Sequence, residues 1–182
     1  MSRIKFGKKK TVFKGKIFNI LHQDIVLPSG KKGVFEYCER FPSVSVLAFN
    51  DKDELLLIKE YRHGYKKNVW FLPGGRMDKP GDTPKKAILR EMREEAGYRA
   101  KKLKLLFTKA PSNTLIWDIF VFVAKDLVYD PLPNEEGEDS HAVFVPFEEA
   151  AQMALDGTID NEFISYDIIR LDYMLKHGEF KW

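Results

Sequence analysis

Apolar residues recur along this chain with two periods, and each period marks one kind of element. Strand-like runs come first. Phe13, Ile17, Phe18, Ile20, Ile25, Val26 and Leu27 precede a Pro28-Ser29-Gly30 break, and Val34, Phe35, Tyr37 and Cys38 follow it. That spacing predicts strand, turn, strand from Val12 to Arg40, closed as a hairpin. Val44 to Phe49 is almost continuously apolar, Asn50-Asp51-Lys52-Asp53 reads as a turn, and Leu55 to Ile58 returns. A second hairpin, buried on both faces, is the expectation there. Val69 to Pro73 then runs into Gly74-Gly75, and Leu103 to Thr108, Ile116 to Ala124 and Ala142 to Val145 predict further strands.

The helical period appears three times. Thr83 is placed to cap a helix, Pro84 suits its first position, and Gly97 suits the left-handed residue beyond its end. About 13 residues without a breaker lie between, enough for roughly 20 Å of helix. Ile88, Leu89, Met92 and Ala96 form its apolar stripe, and Ala87 leaves space open one turn back. Phe147 to Asp156, stopped by Gly157, predicts a second helix. A third runs from about Glu162 to His177, with Phe163, Tyr166, Ile169, Tyr173 and Met174 as its stripe. Strands with interspersed helices predict an α/β chain with helices covering a mixed sheet.

Composition narrows the class. The 182 residues are 44% apolar and 31% charged, which suits a globular protein with one full core and room for a small appendage. Pro42 marks a boundary, giving an expected N-terminal β subdomain at 1–42 and a main domain at 43–182. Two or three strands alone bury too little to be stable, so the small sheet must lie on something. No apolar run approaches the roughly 18 residues of a membrane span, and no signal-like segment opens the chain. Cys38 is the single cysteine, which points to a reducing, cytoplasmic setting. Net charge is +3, too small to imply nucleic acid. Arg3, Lys5, Lys8, Lys9, Lys10, Lys14 and Lys16 do cluster without an acid, and the expected state of that arm is a frayed, solvated terminus.

Chemistry concentrates on the first helix. Glu91, Glu94 and Glu95 stand at i, i+3 and i+4, so their carboxylates share one face beside the apolar stripe. An acidic face on an arbitrary helix is ordinarily just solvated. Here it directly follows a glycine-rich loop, and clustered hard oxygens beside an approachable backbone are what Mg²⁺ or Mn²⁺ requires.

The stretch Gly74 to Tyr98, GGRMDKPGDTPKKAILREMREEAGY, resembles the Nudix box, G-x5-E-x7-R-E-U-x-E-E-x-G-U, with U a bulky aliphatic residue. Arg90 to Tyr98 fits its second half, with an aromatic in the last place. The first half departs twice: six residues separate Gly75 from the acidic position, and that position holds Asp82 instead of Glu. A longer loop and a shorter acid compensate if Asp82 still reaches Arg90. Glu36 to Arg40, Val44 to Phe49, Tyr61-Arg62, Pro73-Gly74-Gly75 and Ala110-Pro111-Ser112 follow the layout of ADP-ribose pyrophosphatases and related nucleotide-sugar hydrolases. So do Glu135-Glu136-Gly137-Glu138-Asp139, like their acidic catalytic loop, and Asp156 to Asn161.

The resemblance implies an α/β/α sandwich and Mg²⁺-dependent (or Mn²⁺-dependent) hydrolysis of a nucleoside diphosphate compound to a nucleoside monophosphate and a sugar phosphate. ADP-ribose and NDP-hexoses such as GDP-mannose compete as substrates; dinucleoside polyphosphates and RNA 5′ ends are alternatives. It implies Glu91, Glu95, Glu94 and the Gly74 carbonyl as metal ligands, with Arg90 and Glu94 in the catalytic set. Glu138 or Glu136 would be the base, Glu138 being preferred. Arg62, Gly75 and Pro111 would meet the substrate, and Phe35, Glu36 and Arg40 the nucleobase or ribose. A homodimer through the N-terminal sheet is implied as well. A sensor that binds a sugar nucleotide without cleaving it is the rival class, and it predicts a damaged acid set, whereas all three glutamates are present.

Overall fold

A computed structural model describes residues 3–133 and 140–181. The chain divides into two compact units, one made of residues 1–42 and 109–119, the other of 43–108 and 120–182.

The first unit is a sheet of order β1-β2-β3-β9, with β1 at Lys5–Lys14, β2 at Asn19–Val26, β3 at Lys32–Glu39 and β9 at Leu115–Ile116. The first three strands are antiparallel; β9 joins β3 in parallel, pairing Leu115 with Cys38 and Ile116 with Glu39. The basic arm is therefore not frayed. Its backbone pairs with β2 from Lys5↔Val26 to Lys14↔Asn19, while all ten of its side chains remain exposed. Backbone pairing needs no apolar face, which is why the side-chain pattern did not reveal this strand. Lysines along such an edge discourage indiscriminate pairing.

In the second unit, β4 (Ser43–Ala48), β7 (Gly74–Arg76), β8 (Tyr98–Lys109) and β10 (Ile119–Tyr129) form a sheet of order β7-β4-β10-β8. Strands β5 (Glu54–Arg62), β6 (Lys67–Phe71) and β11 (Ser140–Pro146) form another, of order β11-β5-β6. The expected hairpin of Val44–Phe49 with Leu55–Ile58 thus does not form. The two strands join different sheets, and their backbones are linked by an isolated bridge, Phe49↔Leu55. Asn50 Oδ1 accepts from the Lys52 and Glu54 amides and fastens the intervening turn, so local turn chemistry is satisfied without a ladder. The expected strand Ile116–Ala124 is likewise divided between β9 and β10.

Helix α1 (Pro84–Glu95) covers one face. Its Ala87, Ile88 and Met92 join Val44, Val46, Ala48, Leu56, Ile58, Phe122 and Ala124 in one buried cluster. Alternation along the same strands turns Leu47, Leu55, Leu57, Val121 and Val123 to the opposite side, where they are also buried. Helix α2 (Phe147–Leu155) packs on β5, β11 and α3 (Glu162–Lys176). The result is the expected α/β/α layering.

Two stripe assignments change. Ala87 is fully buried, not an opening, and Leu89 is only half-buried. In α3 the buried positions are Ile164, Ser165, Asp167, Ile168 and Leu171, whereas Phe163, Tyr166 and Tyr173 are exposed. Both faces of α3 carry apolar residues at helical spacing, and the compact aliphatics took the interior. Tyr166 and Tyr173 instead lie at the surface, where Arg170 hydrogen-bonds the Tyr166 hydroxyl at 3.3 Å and His177 stacks on Tyr173.

Candidate active site

The expected α1 boundaries hold at the level of atoms. Thr83 Oγ1 accepts from the Lys86 amide at 3.3 Å, Pro84 is the first helical residue, and Gly97 has φ +76°. This puts Glu91, Glu94 and Glu95 along the margin of the face that buries Ala87, Ile88 and Met92, with Glu91 and Glu95 one and two turns beyond Ala87.

Strand β7 brings the glycines to that acidic face. Ser45 pairs with Gly74 and Val44 with Gly75, and the Val46 amide donates to the Pro73 carbonyl at 3.0 Å. A Cβ on Gly74 would strike the Val44 carbonyl and lie 2.9 Å from Ser45 Cα, so only glycine fits against β4. A Cβ on Gly75 would come within 2.6 Å of both carboxylate oxygens of Glu91. The Gly74 amide donates to Glu95 Oε2 at 2.9 Å. Loop and helix thus meet through two glycines and two glutamates.

Arg90 organises the remaining acids. Its Nη1 lies 2.8 Å from Glu91 Oε1 and 3.0 Å from Glu94 Oε2, and its Nη2 lies 3.4 Å from Asp82 Oδ2. Burial works against the charge of Arg90, but Glu91, Glu94 and Asp82 together outweigh it and hold its pKa above the ordinary value. Asp82 also accepts from the Lys79 amide at 3.1 Å, closing the lengthened loop on itself. The extra residue and the shorter acid therefore do leave Asp82 within reach of Arg90.

Arg62 ends β5 on the face that carries Leu56 and Ile58, the two β5 residues of the cluster under α1. Its guanidinium lies 4.7 Å over the Phe71 ring, and Nη2 lies 2.8 Å from Glu60 Oε2. Glu60 was not among the residues singled out from sequence. Its position two residues after Ile58 and two before Arg62 was the available signal, hidden by the polar turn that follows.

Phe35, Glu36, Arg40 and Pro111 belong to the first unit, and α1 and the glycine loop to the second. Phe35 packs against Tyr37 with ring centroids 5.1 Å apart, Glu36 pairs with His22 at 3.0 Å, and Arg40 stacks 4.1 Å over Trp117. Trp70 is half-buried with Lys59 4.9 Å over its ring. Glu136 and Glu138 lie outside the described residues. Among the described residues, no helix is long and apolar enough to cross a membrane. Among them, too, no group of three or more His, Cys, Asp or Glu side chains adopts a ready metal-binding arrangement. The glutamates instead turn toward Arg90 and Gly74.

A glycine-flanked β7 feeding a helix whose acids gather on one arginine defines a Nudix site, and the NUDIX domain model matches residues 39–166. The chain belongs to the Nudix family and is a Nudix pyrophosphohydrolase. It is 32% identical to an ADP-ribose pyrophosphatase of Bacillus subtilis (strain 168) over 132 residues, covering 72% of this chain and 71% of that protein. It is 31% identical to an ADP-ribose pyrophosphatase of Mycobacterium tuberculosis (strain ATCC 25618 / H37Rv) over 156 residues, covering 84% and 75%. The crystal structure of an ADP compounds hydrolase superposes with a TM-score of 0.80 at 22% identity, covering 99% of this chain and 98% of the other. That likeness shows the fold.

Proposed function

We propose that this enzyme hydrolyses the diphosphate linkage of ADP-ribose-type compounds, releasing AMP and a sugar phosphate, with Mg²⁺ or Mn²⁺ as cofactor. The observation that carries it is the packing of Glu91 and Glu95 against Gly75 and Gly74. Both named relatives above are ADP-ribose pyrophosphatases, which favours ADP-ribose over GDP-mannose.

The residues suit a hard divalent cation. Three carboxylates on one helix face share one guanidinium with Asp82 or lean on a glycine amide, a surplus of negative charge that a cation relieves. Glu91, Glu95, Glu94 and the Gly74 carbonyl would hold it, all oxygen donors. A divalent ion held there would neutralise phosphate charge and make water more acidic. Arg90 orients the glutamates, and Arg62 donates to a phosphate oxygen. Glu138, or else Glu136, takes the proton of the attacking water as the P–O bond to the leaving phosphate breaks.

Phosphate release after coupled phosphatase treatment, from ADP-ribose and a panel of NDP-hexoses, tests this reading in Mg²⁺ and in EDTA. ADP-ribose is expected to lead, activity to vanish in EDTA, and Glu138→Gln or Glu136→Gln to lose several orders of magnitude in turnover. Equal activity in EDTA would discredit the cation, and two near-neutral glutamine variants would remove the base from that loop.

The proposal extends to a homodimer formed through the N-terminal sheet, whose Phe35, Glu36 and Arg40 serve the nucleobase or ribose. Its support is an edge strand with Phe6 and Phe13 exposed, beside Ile17, Phe18 and Val34, also exposed. Sedimentation at micromolar concentration is expected to read a dimer, and a monomer would refute it.

A further inference from the structure

Glu60 and Arg62 alternate with Leu56 and Ile58 on one face of β5, the face that meets α1. The Glu60 side chain is 11% exposed, the Arg62 side chain 43%. Phe71 lies beneath the guanidinium and packs into the α1 cluster, three residues ahead of Gly74. Arg62 Nε is buried with no hydrogen-bond partner among the described residues, so Glu60 supplies the polar contact that fixes the group.

A half-buried carboxylate beside a phosphate ligand repels the same anion that its partner attracts. Its presence there calls for a compensating role. Arginine loses much rotamer freedom when it grips a ligand, and that loss weakens binding unless the side chain is already ordered. One of its five N–H donors is committed to Glu60, which leaves others for a phosphate.

We infer that Glu60 is a positioning residue that holds Arg62 over Phe71, so that its remaining donors meet a substrate phosphate without further ordering. The inference rests on the proposed role of Arg62 as a phosphate ligand. It assigns Glu60 to binding rather than to bond cleavage.

Steady-state kinetics on ADP-ribose with saturating Mg²⁺ test it in Glu60→Ala, Arg62→Ala, the double variant and Glu60→Gln. Glu60→Ala is expected to raise KM about tenfold with kcat within about twofold. Glu60→Gln keeps an acceptor for Nη2 and is expected to stay within about threefold of the wild-type KM. Arg62→Ala is expected to raise KM at least as much as Glu60→Ala, and the double variant to be no worse than Arg62→Ala alone. Additive effects, or a Glu60→Ala variant with unchanged KM beside an impaired Arg62→Ala, would overturn the role of Glu60 only. An Arg62→Ala variant with unchanged KM would overturn the phosphate ligand itself. Should Glu60→Ala not fold, Glu60→Met, which keeps length and drops the acceptor, takes its place in the same cycle.

Discussion

Glu95→Gln is expected to lower kcat/KM by about a thousandfold or more while leaving the fold intact, and Glu91→Gln is expected to match it. Glutamine keeps the volume and an acceptor for the Gly74 amide, which Glu95 Oε2 now engages at 2.9 Å. It removes only the negative charge, which under the proposed function would bind a divalent cation. A lost ligand worth about 4 kcal/mol at the transition state is about a thousandfold in rate. Stability should move the other way. Glu91 and Glu95 are like charges one helical turn apart, a pairing that costs a few tenths of a kcal/mol, so Tm of Glu95→Gln should equal or slightly exceed that of the wild type, whereas Glu91→Gln also gives up the charge paired with Arg90 at 2.8 Å. Glu94→Gln is expected to lose less, because Glu91 and Glu95 are the two acids that meet the glycines of the loop. Turnover measured across a Mg²⁺ titration decides the matter. Wild-type rates in both Glu91→Gln and Glu95→Gln would show that this ridge holds no catalytic ion.

Gly75→Ala is expected to lose about a hundredfold or more in kcat/KM with little change in Tm. The added methyl would occupy the space of the Glu91 carboxylate, and the atoms it meets are the far end of a flexible side chain. Glu91 can swing aside at small cost to folding, yet in swinging it leaves the position from which, under the proposed function, it would serve a cation. Gly74→Ala differs in kind, because there the obstacle is the backbone of Val44 and Ser45. Thermal melts beside kinetics separate the two cases. A Gly75→Ala enzyme with normal kcat/KM would mean that the Glu91 position is not critical.

What could be read from residues alone followed the range of the interactions involved. The boundaries of α1 were legible because Thr83, Pro84 and Gly97 act on their own backbone within a turn. The acid cluster was legible for the same reason, since i, i+3 and i+4 spacing places side chains together regardless of the fold around them. The separation of Val44–Phe49 from Leu55–Ile58 was not, because strand partners such as β7 and β11 are chosen across the sequence. The buried face of α3 was misjudged for want of a local rule that ranks tyrosine below isoleucine when both fit the period. Strand β1 escaped notice because every one of its side chains is exposed and no alternation betrays it. Glu60 escaped because its meaning depends on Arg62 folding back over Phe71, on the neighbouring strand.

The contact between the Gly74 amide and Glu95 ties side-chain chemistry to the main chain of β7. Whatever draws that carboxylate elsewhere leaves an N–H without its acceptor in a strand only three residues long. A ligand on the acidic ridge that drew Glu95 away would therefore act on the sheet margin through the main chain itself.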